Sequence, residues 1–275
     1  MKNISTRTRI ISISILIAVI YAFSSNIEFG AIDIGGNRVD LLKAIILAVV
    51  TYIGALWSLF FKVRGERFLT LLVFPSLGVF LISLLGELII ITILSGLGQA
   101  TLIVSSTILL GVYVYLVLLT VNILNKSYIE NIPLALAARG ALFILALIDS
   151  YLVFFMIFSN DLNILVRLII VFLSSSLLVN ICLWNVEYSL KSRIFVATSI
   201  SLVLSLLAFV LSLWPLIPPY LALVMSLFFY VFLNISMEIR EIIGRWIWVE
   251  YLSLFVLILL FLLILPEWGI NGPLI

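Results

Sequence analysis

One carboxylate, Asp149, interrupts the oily run "FILALIDSYLVFFMIF" at residues 143–158. An acid in such surroundings either carries a proton or ion, or hydrogen-bonds a neighbouring helix. Left facing lipid near a bilayer centre it costs roughly 2.5–3.5 kcal/mol on insertion scales. If the run is helical, Asp149 lies nine residues from its outer end at Phe158, about 13 Å at a rise of 1.5 Å per residue. Three further residues are candidates for a polar cluster with it in the outer half of a bundle: Glu87, Lys43 and Arg167. Lys43 and Arg167 begin their hydrophobic runs from the same side and supply counter-charges. For Arg167 the partners to expect are Asp161, Asp149 or Glu87. For Asp149 they are Glu87 through a shared proton, Arg167, Lys43, or a Ser or Tyr hydroxyl. Each residue also has a blander role: the bases snorkel to lipid headgroups, Glu87 marks a helix end, and Asp149 locks helix packing. We expect the packing role for Asp149.

Little other chemistry is available. The chain has no histidine, which removes histidine-ligated haem or zinc, Ser–His hydrolysis and histidine relays. Its single cysteine, Cys182, excludes an internal disulfide and a multi-cysteine metal site. No phosphate-binding loop, carboxylate dyad or metal-ligand spacing occurs, and the GxGD of intramembrane aspartyl proteases is missing. The segment 26–40 holds Glu28, Asp33, Asp40 and the pair Gly35–Gly36. Polyprenol-sugar-dependent glycosyltransferases keep a catalytic acid in such a first outer loop, but they are larger, and we read this one as a solvated turn. No catalytic, cofactor-binding or metal-binding residue is assigned, and the expectation leans away from an enzyme.

These residues must be positioned by membrane helices. Of 275 residues, 65% are hydrophobic and 10% charged, against about 45–50% and 25% in soluble domains. The mean hydropathy is +1.38. The fold class expected is all-α: a polytopic integral membrane helix bundle with about nine transmembrane helices. The spans run over 9–24, 41–61, 68–94, 101–124, 134–158, 164–185, 194–214, 219–236 and 250–266, near the 20 residues a crossing needs. They form a single transmembrane domain over 1–275. The first run also has the shape of a cleaved signal peptide; we take it as a retained span. Pro75 should kink the third, which either continues to residue 94 or stops near Gly86–Glu87.

Basic residues orient the bundle. With the N-terminus inside, twelve face inward: Lys2, Arg7, Arg9, Lys62, Arg64, Arg67, Lys126, Arg139, Lys191, Arg193, Arg240 and Arg245. Only Arg38, Lys43 and Arg167 face outward, a strong positive-inside bias. All six tryptophans fall near span ends, as an aromatic belt requires. In 238–248, Ile239, Ile242, Ile243, Trp246 and Ile247 share one helical face opposite Glu238, Arg240, Glu241 and Arg245, so an interfacial helix is expected there, the alternative being a continuation of a neighbouring span. Ala137 and Ala141 beside Gly140, and Ser174–Ser176 with Asn180, read as packing positions.

The segments "FLTLLVFPSLGVFL", "FLSSSLLVNICLWNVEYSLKSRIF" and "SLWPLIPPYLALVMSLFFYVFLNISMEIREIIGRW", with the last hydrophobic helix, cover roughly the last two-thirds of the chain. In these the sequence resembles uncharacterised multi-pass membrane proteins of Patescibacteria-type bacteria. The resemblance implies a bacterial inner (cytoplasmic) membrane and carries no activity. The expected partners are the lipid bilayer and other membrane proteins, not nucleic acid, since the net charge is +2 and the basic residues are scattered. The function expected is non-enzymatic: binding lipids or partner proteins, in envelope assembly. The alternatives are a carrier for a small or lipid-like solute using a polar outer-half cavity near Asp149, and a membrane-bound transferase.

Overall fold

Short polar side chains start four of the helices. Ser5 Oγ accepts from the Thr8 N–H at 3.2 Å, Asp40 Oδ1 from Lys43 at 3.1 Å, Asn163 Oδ1 from Leu165 at 3.1 Å and Ser189 Oγ from Ser192 at 3.3 Å. Each satisfies a donor that the first helical turn leaves open. In chain order these and the remaining elements are α1 (Thr6–Ser24), β1 (Ala31–Ile34), β2 (Asn37–Asp40), α2 (Leu41–Ser58), a π-helical turn (Leu69–Val73), α3 (Phe74–Ile93), α4 (Leu97–Ser127), α5 (Ala135–Phe158), α6 (Ile164–Leu183), α7 (Leu190–Ser212), α8 (Pro218–Glu238) and α9 (Arg245–Ile264). This computed structural model describes residues 5–24, 31–34, 37–59, 68–93, 97–127, 134–160, 162–184, 188–238 and 245–264.

Among the described residues, eight helical stretches are long and apolar enough to cross a membrane: Thr6–Ser24, Leu41–Ser58, Thr70–Glu87, Ala100–Ser127, Ala135–Phe158, Ile164–Leu183, Leu190–Ser212 and Pro218–Met237. Among the described residues the regular structure is helical apart from one hairpin. There β1 and β2 pair antiparallel, from Ala31 opposite Asp40 to Ile34 opposite Asn37. A solvated turn was expected over this stretch. The two residues between the strands are Gly35–Gly36, a pair suited to a two-residue hairpin connection.

The chain separates into two compact units, Met1–Asp149 and Ser150–Ile275. In the first, α1 packs on α2, α2 on α3, α3 on α4, and α4 returns to α1, so four helices close a ring of neighbours. Thr70–Glu87 is its most buried stretch, at 72%. Immediately before Pro75 the helix widens into the π turn. Proline has no N–H to donate, and its ring would press on the carbonyl four residues back. Admitting one extra residue into the turn relieves that clash. Beyond it the helix does not stop at Gly86–Glu87 but continues to Ile93.

In the second unit α6 and α7 lie antiparallel, stitched by Ser205 Oγ donating to the Leu168 carbonyl at 3.0 Å. The α8 helix packs on α6, α7 and α9, and the Tyr188 hydroxyl donates to the Ser236 carbonyl. On α6, Ser174 and Asn180 bond carbonyls of their own helix. Of the small residues of α5, Ala141 is half-buried, whereas Ala137 and Gly140 are exposed and a Cβ at Gly140 would meet nothing within 4 Å; Ala138 and Leu142 are the buried positions. Of the expected interfacial helix, residues 239–244 lie outside the described residues, and Arg245–Trp248 form the first turn of α9.

Candidate functional site

Asp149 is fully buried, and its partner is a tyrosine. The Tyr113 hydroxyl, from the middle of α4, donates to the carboxylate at 2.8 Å from Oδ1 and 2.9 Å from Oδ2. Tyr113 is itself 5% exposed, so both partners lie inside the protein. Room for it comes from α3. A Cβ at Gly78 would collide with the Tyr113 hydroxyl and the adjoining ring atoms, so only glycine leaves α3 bare enough to seat this side chain. Three helices thus meet at mid-depth: a bare stretch of α3, a tyrosine from α4 and an acid from α5.

A second polar group forms at one end of the first unit, with a side chain from each of α1, α2, α3 and α4. Lys43 of α2 and Glu87 of α3 make an ion pair at 2.8 Å, both nearly buried. The other carboxylate oxygen of Glu87 accepts the Asp40 backbone N–H at 2.7 Å, tying the end of β2 to α3. Asp40 at the same time caps α2 through the Lys43 N–H. Tyr21 of α1 places its ring 5.0 Å from Lys43 Nζ and its hydroxyl against Gly86, where a Cβ would collide with it. Ser106 of α4 reaches the same glycine, its Cβ 3.7 Å from where the added Cβ would stand. Lys43 is therefore held inside the protein rather than snorkelling, and Glu87 is an interior ligand rather than a helix end.

No family model, curated protein or solved structure matches the chain.

Of the four residues expected to cluster, Lys43 and Glu87 meet, while Asp149 pairs with Tyr113. Arg167 belongs to the second unit. Its Nη1 donates to Ser212 Oγ at 3.1 Å and its Nη2 to the Asn160 carbonyl at 3.2 Å, and the guanidinium stands 5.6 Å from the centre of the Phe158 ring. Asp161 lies outside the described residues. Among the described residues no three Cys, Asp or Glu side chains come together to hold a metal ion. Sequence reasoning missed Tyr113, Tyr21, Gly78 and Gly86. The available signal was the pair of glycines eight residues apart in one hydrophobic run, each a place where another helix can approach closely.

Chemically, the mid-depth group is a hydrogen bond between two groups of low water access. The end group is an ion pair whose carboxylate has both oxygens engaged. Both groups tie helices together.

Proposed function

We propose that the protein is a nine-span, N-inside protein of the bacterial cytoplasmic membrane that works by binding lipids or partner proteins, not by catalysis. The observation that carries this reading is the complete burial of Asp149 against Tyr113. A carrier using that acid needs a wet path to it, whereas a binding scaffold needs helices locked around a satisfied acid. The partition of basic residues supports the orientation, and α9 at 20 residues has the length of a ninth crossing. The resemblance to multi-pass proteins of Patescibacteria-type bacteria favours the inner membrane, and a role in envelope assembly fits it.

The test is native mass spectrometry of the protein released from cytoplasmic-membrane vesicles, beside proton flux into proteoliposomes followed with a pH-sensitive dye. The expected result is retained phospholipid or a stoichiometric protein partner, equally in the parent protein and in Asp149→Asn, with no protein-dependent flux. Proton flux that Asp149→Asn abolishes while helical content is kept would establish the carrier reading instead.

A further inference from the structure

We infer that the π turn Leu69–Val73 is one position of a register switch, exchanging with an α-helical form that turns the chain entering α3 by about 100° and shifts it about 1.5 Å along the axis. A π turn holds one residue more than the α-helix would, and such turns are short, rare and concentrated at functional places.

Each form carries a cost of a different kind. In the π form Thr70 is 1% exposed and its hydroxyl has no hydrogen-bond partner, although Leu71, Leu72 and Phe74 around it in sequence are well buried. The Thr70 carbonyl also loses its π-type donor, because that position is Pro75. In the α form the Pro75 ring presses on the Leu71 carbonyl four residues back. A buried orphan hydroxyl and a proline inside a helix are penalties of the same order, so neither form wins by a wide margin.

The rest of α3 is fixed. Gly78 seats Tyr113, Gly86 seats Tyr21, and Glu87 grips Lys43 and the Asp40 N–H. Rotation is thereby confined to the residues ahead of Pro75. Because leucines flank Thr70 on both sides, a one-residue change of register puts a leucine where the threonine stood and frees the hydroxyl from its apolar surroundings.

The test uses spin labels at Phe68→Cys and Lys126→Cys, both exposed positions, in a Cys182→Ser background reconstituted in phosphatidylglycerol-containing vesicles. Pulsed-resonance distances should show two populations. Pro75→Ala, which restores the N–H and removes the ring, should collapse them to one. Thr70→Val, which deletes the orphan hydroxyl at constant shape, should change the population ratio at least two-fold toward the π form. A single, identical distance in the parent and in Pro75→Ala overturns the switch. If Pro75→Ala does not fold, an unchanged ratio in Thr70→Val overturns it, and a shifted one supports it.

Discussion

At the scale of residues, a hydroxyl that serves both oxygens of one carboxylate makes Asp149 and Tyr113 unequal in their tolerance of change. Asp149→Asn keeps an acceptor for the tyrosine and should cost about 1 kcal/mol or less. Asp149→Leu strands the Tyr113 hydroxyl, for about 1–3 kcal/mol, and Tyr113→Phe strands the acid, which costs more because the group left over is ionisable. Thermal unfolding in detergent should therefore rank Asn mildest and Tyr113→Phe worst. A Tyr113→Phe protein as stable as the parent would show that the acid finds another partner. Asp149 was legible in the sequence because a single acid in an oily run has few energetic refuges. Its partner was not, since Tyr113 is one of ten tyrosines, and only the rotation of α4 decides which of them faces α5.

At the scale of elements, the ion pair between α2 and α3 is the contact most open to test. Removing one partner of a buried pair typically costs about 3–5 kcal/mol, whereas replacing both costs far less. Lys43→Met alone and Glu87→Gln alone should each be strongly destabilising. The double variant should recover much of the loss, because Gln still accepts the Asp40 N–H and no lone cation remains. Strict additivity in a double-mutant cycle would show that the two charges do not depend on each other. The meeting of Lys43 and Glu87 was foreseeable, since both charges lie toward the same end of their runs. The hairpin between α1 and α2 was read as a turn because the strands are only four residues each, too short for alternation to stand out. The place of the proline bend was legible, but not its form: Pro75 announces a distortion, and packing decides that it is taken up as a π turn rather than a sharp kink.

At the scale of the whole molecule, the placing of the helices follows from hydrophobic length, and the N-inside orientation proposed above rests on the basic residues. In a Cys182→Ser background, cysteines at Ser127 and Ser192 should resist an impermeant thiol reagent in intact cells, and one at Asn160 should react. Labelling at Ser127 from outside would reverse the orientation. The division into two units was not legible, because every run is similarly apolar and hydropathy carries no record of which helix touches which. The paired tyrosine seats on α3 have a mechanical consequence. Gly78 receives a side chain from α4 and Gly86 one from α1, eight residues apart, about 12 Å along the axis. Sliding α3 lengthwise by even one turn would unseat both at once, so the helix is keyed against shear. Drawn out of a bilayer by a force probe from its C-terminal end, the chain should give up α4 and α3 in a single rupture, with no separate peak for α4.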